Sequence, residues 1–157
     1  MNFADTNWIE AMFFNLTDAD KKSRSAIVQR YLRRERGPIG LSHLVYLEAR
    51  NVFTRTSGEA EPKEWSQLRQ DLNGRFYLDP MNWEFLRRDT FDLIARYGHK
   101  ATLGTFHLAL LASARLSGAT RFLSFDQTLK AVAVAEGLDV FPALNSTGQQ
   151  LLAKLKR

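Results

Sequence analysis

No cysteine occurs in the sequence. That absence excludes a disulfide framework, a thiolate zinc site, an iron–sulfur cluster and a cysteine nucleophile, so any metal must be held by Asp, Glu, His or backbone oxygen. Glycine and proline are few, 9 and 4 residues, and no repeat or low-complexity stretch marks a linker. No run approaches the roughly 18 apolar residues of a membrane span, and Met1 to Asp5 has neither a basic nor an apolar leader segment. A cytoplasmic protein with no membrane association is expected.

Acids are in the minority, 17 against 22 Lys and Arg, for a net charge of +5. The excess favours a polyanionic partner such as RNA, DNA or an acidic protein tail. It gathers at Arg30, Arg33, Arg34 and Arg36, at Arg87 and Arg88, and at Lys154, Lys156 and Arg157, where the ordinary role is a solvated helix face or terminus. With 157 residues, 45% hydrophobic and 25% charged, the chain has the size and composition of one soluble folded domain.

Helix and strand signals alternate along it. Phe3-Ala4 followed by Asp5-Thr6-Asn7 reads as a strand ending in a helix cap, and Ile27, Val28, Tyr31 and Leu32 place a helix over 20–35 that Gly37-Pro38 stops. Ile39-Gly40-Leu41 reads as a short strand, with Ser42 capping a helix to about Thr56 and Trp65, Leu68 and Leu72 marking another that ends near Asn73-Gly74. Further strands are expected at 76–78, 121–125 and 138–141, and helices at 83–97, 102–116 and 126–136. From Leu144 the chain is polar and then weakly helical. This order implies a parallel sheet covered by helices on both faces.

In such a sheet, ligands bind beyond the carboxyl ends of the strands, so acids at strand-to-helix junctions come first. Asp5 and Asp126 stand there, and each could equally be a helix cap accepting from free backbone N–H groups. Glu48 is placed on the apolar face of its helix with Leu41, Leu44, Val45 and Val52, and a buried carboxylate there needs an Arg from elsewhere or a metal. His107 interrupts an apolar stripe of Leu103, Leu110, Leu111 and Ala114, where a neutral core histidine is the ordinary role. The aromatic residues after Asp5, namely Trp8, Phe13 and Phe14, fit a core, or a groove for a partner helix or strand.

Phe3-Ala4-Asp5-Thr6-Asn7, Leu41-Ser42-His43-Leu44-Val45-Tyr46-Leu47-Glu48-Ala49-Arg50-Asn51 and Phe122-Leu123-Ser124-Phe125-Asp126, taken together, resemble the PIN-domain nucleases, most of all the VapC-type toxins of bacterial toxin–antitoxin pairs. The resemblance implies a single-domain three-layer α/β/α sandwich with a parallel sheet of about five strands over 1–145, followed by a basic C-terminal tail over 146–157. It also implies cleavage of RNA with divalent metal, with Asp5, Glu48 and Asp126 matching family acids that act in catalysis and hold the ion. Asn7 and Ser124 match polar positions beside the site, where substrate binds. The family's third acid falls on His107, so one negative charge is missing.

Phosphodiester hydrolysis needs a nucleophile generated near neutral pH and neutralisation of oxygen charge, which bound Mg²⁺ or Mn²⁺ can supply. Three carboxylates and an imidazole shift the expected preference toward Mn²⁺, or toward a single ion, with His107 as ligand or general base. The alternative is a weakened or inactive site on a module that binds RNA or a protein. A phosphatase of the haloacid dehalogenase type lacks its second Asp, since Asn7 stands there, and no acid pair of a response-regulator receiver is present. By resemblance the partners are an RNA substrate, a second copy in a homodimer and a VapB-like antitoxin.

Overall fold

The alternating signals become alternating elements in the structure, a computed structural model that describes residues 1–157. The strands are β1 Asn2–Ala4, β2 Ile39–Leu41, β3 Phe76–Leu78, β4 Arg121–Leu123 and β5 Asp139–Phe141. The helices are α1 Thr6–Phe13, α2 Lys22–Arg34, α3 His43–Ser57, α4 Lys63–Gln70, α5 Trp83–Tyr97, α6 Thr105–Leu116, α7 Gln127–Ala135 and α8 Ser146–Leu155. The strands form one parallel sheet in the order β3-β2-β1-β4-β5, the expected single-domain α/β fold.

Parallel strands covered on both faces should be continuously apolar, and the central ones are: Phe3, Ala4, Ile39, Leu41, Phe122 and Leu123 are all buried. Gly40 in β2 faces Phe3, its register partner on β1, and a Cβ there would come within 2.5 Å of the Phe3 ring. The glycine is what lets the two strands approach at that point. From β1 the chain builds outward through β2 to β3, then crosses to β4 and β5 on the other side. The switch point therefore lies between β1 and β4, where open α/β sheets hold their ligands.

Several boundaries differ from the sequence reading for local reasons. The helix expected from Thr102 begins at Thr105 after Gly104, and β4 stops at Leu123, so Ser124 and Phe125 lie in the turn before α7. Leu72 lies beyond α4 and makes a bridge to Phe76. The inward stripe of α3 is Val45, Ala49 and Phe53, whereas Leu44 and Val52 are only half-buried. Glu48 consequently sits half-buried at the flank of that stripe, one position from Ala49, rather than within it. Residues 146–155 form α8, capped by Asn145 and packed on α7, with Leu155 buried. No helix is long and apolar enough to cross a membrane.

Candidate active site

The register Ala4↔Leu123 brings the residues after β1 and β4 side by side at the switch point. Asp5 is the N-cap of α1, only 3% exposed, and its Oδ1 accepts from the Thr6 amide at 2.7 Å. Its Oδ2 accepts from the Ser124 hydroxyl at 2.8 Å. Ser124 is fully buried, and its Oγ in turn accepts from the Asp126 amide at 3.0 Å. Asn7 Oδ1 accepts from the Phe125 amide at 3.1 Å and ties α1 to the same turn. Asn7 and Ser124 thus bind the two junctions to each other, and the Ser124 hydroxyl is committed to Asp5.

Burial pushes the Asp5 carboxyl up to about 6, against the opposing pull of its hydrogen bonds from Ser124 and Thr6. The His107 imidazole lowers it and the Glu48 carboxylate raises it, and no Lys or Arg acts on it. Three of the four ionisable residues singled out in the sequence therefore share one electrostatic neighbourhood. Glu48 reaches it from α3, and His107, half-buried, from the first turn of α6. Asp126 stands one strand over as the N-cap of α7, its Oδ1 accepting from the Leu129 amide at 3.0 Å.

A divalent cation fits this centre in charge and in donor type. Two carboxylates and an imidazole offer oxygen and nitrogen ligands, the desolvated Asp5 has no Lys or Arg partner, and the neighbouring Thr6 Oγ1 is buried without a hydrogen bond. The side chains as they stand are not gathered into a cage, for no three His, Asp or Glu groups converge closely enough to hold an ion.

Two residues near this edge escaped the sequence reading. Asp79, directly after β3, is raised by burial and lowered by His43 at the start of α3; its position after a strand is the same signal that marked Asp5. Lys130 on α7 is fully buried, with Nζ donating to the Pro142 carbonyl at 2.9 Å. Burial holds its ammonium down to about 8 against the pull of Asp126. One charge inside Leu129-Lys130-Ala131-Val132-Ala133 interrupts an apolar run as His107 does in its own helix. The aromatics after Asp5 divide: Trp8 is fully buried, while Phe14 lines a groove between the end of α1 and α3.

A model of the PIN domain family matches residues 3–135 of the chain. Among solved structures, the chain is similar to VapC20 of Mycobacterium tuberculosis, described as a sarcin-ricin loop cleaving toxin, with a TM-score of 0.67 and 14% identity over 84% of this chain and 95% of that one. FitAcB from Neisseria gonorrhoeae gives 0.60 and 15% identity, covering 90% and 96%. VapBC2 from Rickettsia felis, bound to a DNA fragment from their promoter, gives 0.59 and 12% identity, covering 88% and 96%. No curated protein matches the chain by sequence.

Proposed function

The chain belongs to the PIN domain family, and from that premise we propose that it is a divalent-metal-dependent endoribonuclease, the toxin of a cytoplasmic toxin–antitoxin pair with a VapB-like antitoxin and a homodimeric state. The observation that carries the reading is Asp5, a desolvated carboxylate at the switch point with another carboxylate and an imidazole about it and no Lys or Arg acting on it. Asp5, Glu48 and His107 would hold the ion, with Asp126 adding the carboxylate oxygen its cap leaves over. Bound Mg²⁺ or Mn²⁺ would supply a hydroxide near neutral pH and positive charge for the scissile phosphate.

The residues of the chain supply the positioning. Ser124 and the Thr6 amide fix one lone pair on each Asp5 oxygen, so the remaining ones keep a set direction. Asn7 holds the turn that carries Ser124 and Asp126 against α1. His107 gives nitrogen where relatives by resemblance have an acid, which favours Mn²⁺ over Mg²⁺. The second reading, a weakened module that binds RNA or a protein, draws on the same substitution and on the open spacing of the donors. Calorimetry with Mg²⁺ and Mn²⁺, beside cleavage of a mixed RNA, separates the two. The nuclease reading expects Mn²⁺ binding and cutting by the wild type, both lost in Asp5→Ala. Cutting only by His107→Asp would establish the weakened site.

A further inference from the structure

We propose that the arginine-lined groove beneath α2 is an RNA-backbone track leading away from the cleavage centre. The proposal rests on the ribonuclease reading and adds to it the surface that holds the substrate. Five of the 13 residues of α2 are Lys or Arg and none is acidic. A groove of about 490 Å³ opens beside it, lined by Arg30, Arg34 and Arg121 above Tyr31 and Phe141. Two acids, Glu35 and Asp139, also line it, and Glu35 is taken up by Arg121 at 3.3 Å. Arg24, Arg30 and Arg34 form no ion pair, so their charge is available to an incoming anion.

A chain of aromatic contacts, passing through the buried Trp8, links this groove to the candidate active site. Phe125, between Ser124 and Asp126, stacks on Trp8 with ring centroids 5.4 Å apart. Trp8 meets Tyr31 and Phe141 edge-on at 5.2 and 5.7 Å, and those two rings belong to the groove. Arg24 lies over the Phe125 ring, 5.1 Å from its centroid, at the lip of the site. From Arg24 to Arg34 the helix rises about 15 Å, so the cations run from the site to the groove along one element. Unpaired guanidinium groups along a single strand suit phosphates, and their number on α2 favours a polyanion that also enters the Asp5 centre. The other Arg pair of note, Arg87 and Arg88 on α5, is interleaved with Glu84, Asp89 and Asp92, and Arg88 pairs with Asp89.

The test measures binding of a short mixed-sequence single-stranded RNA by fluorescence anisotropy in chelator, over a salt series. It compares the full wild-type chain with Arg30→Gln/Arg34→Gln and with Arg87→Gln/Arg88→Gln. The α2 pair should lose about 10-fold in affinity and about 1.4 from the log–log salt slope, two contacts at roughly 0.7 each for a single strand. The α5 pair should behave as wild type. Equal binding by all three proteins, or a larger loss from the α5 pair, overturns the track. So does an α2 pair that binds RNA normally but no longer binds poly-glutamate, which would give the groove to an acidic protein segment. Cleavage by the wild type with no α2 effect removes the track and leaves the nuclease reading. An α2 effect without metal-dependent cleavage does the reverse.

Discussion

Asp5 and Asp126 follow neighbouring parallel strands, cap the next helix in each case and are joined through one serine hydroxyl, yet the chain surrounds them differently. Asp5 is sealed, hydrogen-bonded on both oxygens and raised to about 6, with another carboxylate in its surroundings and no lysine or arginine acting on it. Asp126 is half-buried, caps α7 through Oδ1, and has a buried ammonium four residues on. A capping position is the same backbone device in both places. What separates them is which charges the surrounding helices bring, and only the Asp5 junction has no lysine or arginine acting on it.

The largest effects should come from removing that difference. Asp5→Ala is expected to lower Mn²⁺-dependent cleavage by more than the roughly 100-fold upper end for outer partners of metal sites, while Asp126→Ala should cost less. Equal losses in a direct cleavage comparison would erase the distinction between the junctions. Ser124→Ala leaves Asp5 Oδ2 without its donor and should weaken Mn²⁺ affinity about 10- to 100-fold by calorimetry, with the fold intact by circular dichroism.

Stability should move the other way at Asp5. From about 3.8, where the unfolded carboxyl ionises, to about 6, the native state keeps a proton that the unfolded chain has released, so stability falls as pH rises through that window. Asp5→Asn removes the charge and should flatten this fall, gaining up to about 3 kcal/mol at pH 7 from a shift of roughly two units. Urea melts at pH 4, 5, 6 and 7 would read it; parallel curves for the two proteins would show that burial does not strain Asp5. Asp126→Ala should instead lose about 1 kcal/mol as a helix cap.

Much of this was legible before the fold. The sheet follows from apolar triplets such as Ile39-Gly40-Leu41 set between caps, and Asp5 and Asp126 were marked by position alone. The environments were not legible. The pattern puts Glu48 in the stripe of α3 because Leu44 and Val52 look as apolar as Val45, but tertiary packing selects Val45, Ala49 and Phe53, rotating the buried face by a fraction of a turn. Asp79 follows β3 as Asp5 follows β1, but the Pro beside it makes the pair read as a turn. Lys130 shows in the sequence only as one charge in an apolar run, which does not reveal its partner. Its burial depends on the segment around Pro142 and on α8 closing over α7, contacts far beyond a single helical window.

Lys130 also gives the smallest expected effect and the finest probe of the contrast between the junctions. Its folded ammonium, held down to about 8, loses its proton before the unfolded lysine does, so wild-type stability should climb from about pH 8 to 10.5. Lys130→Met lacks that climb. At pH 7 the exchange relieves a buried charge and strands the Pro142 carbonyl, opposing terms that should leave stability within about 1 kcal/mol of wild type. Removing the ammonium should also tighten Mn²⁺ binding a few-fold, because it takes away a cation acting on Asp126. Weaker Mn²⁺ binding in Lys130→Met would mean that the lysine aligns Asp126 for the ion, and the two junctions would then serve one site by different means.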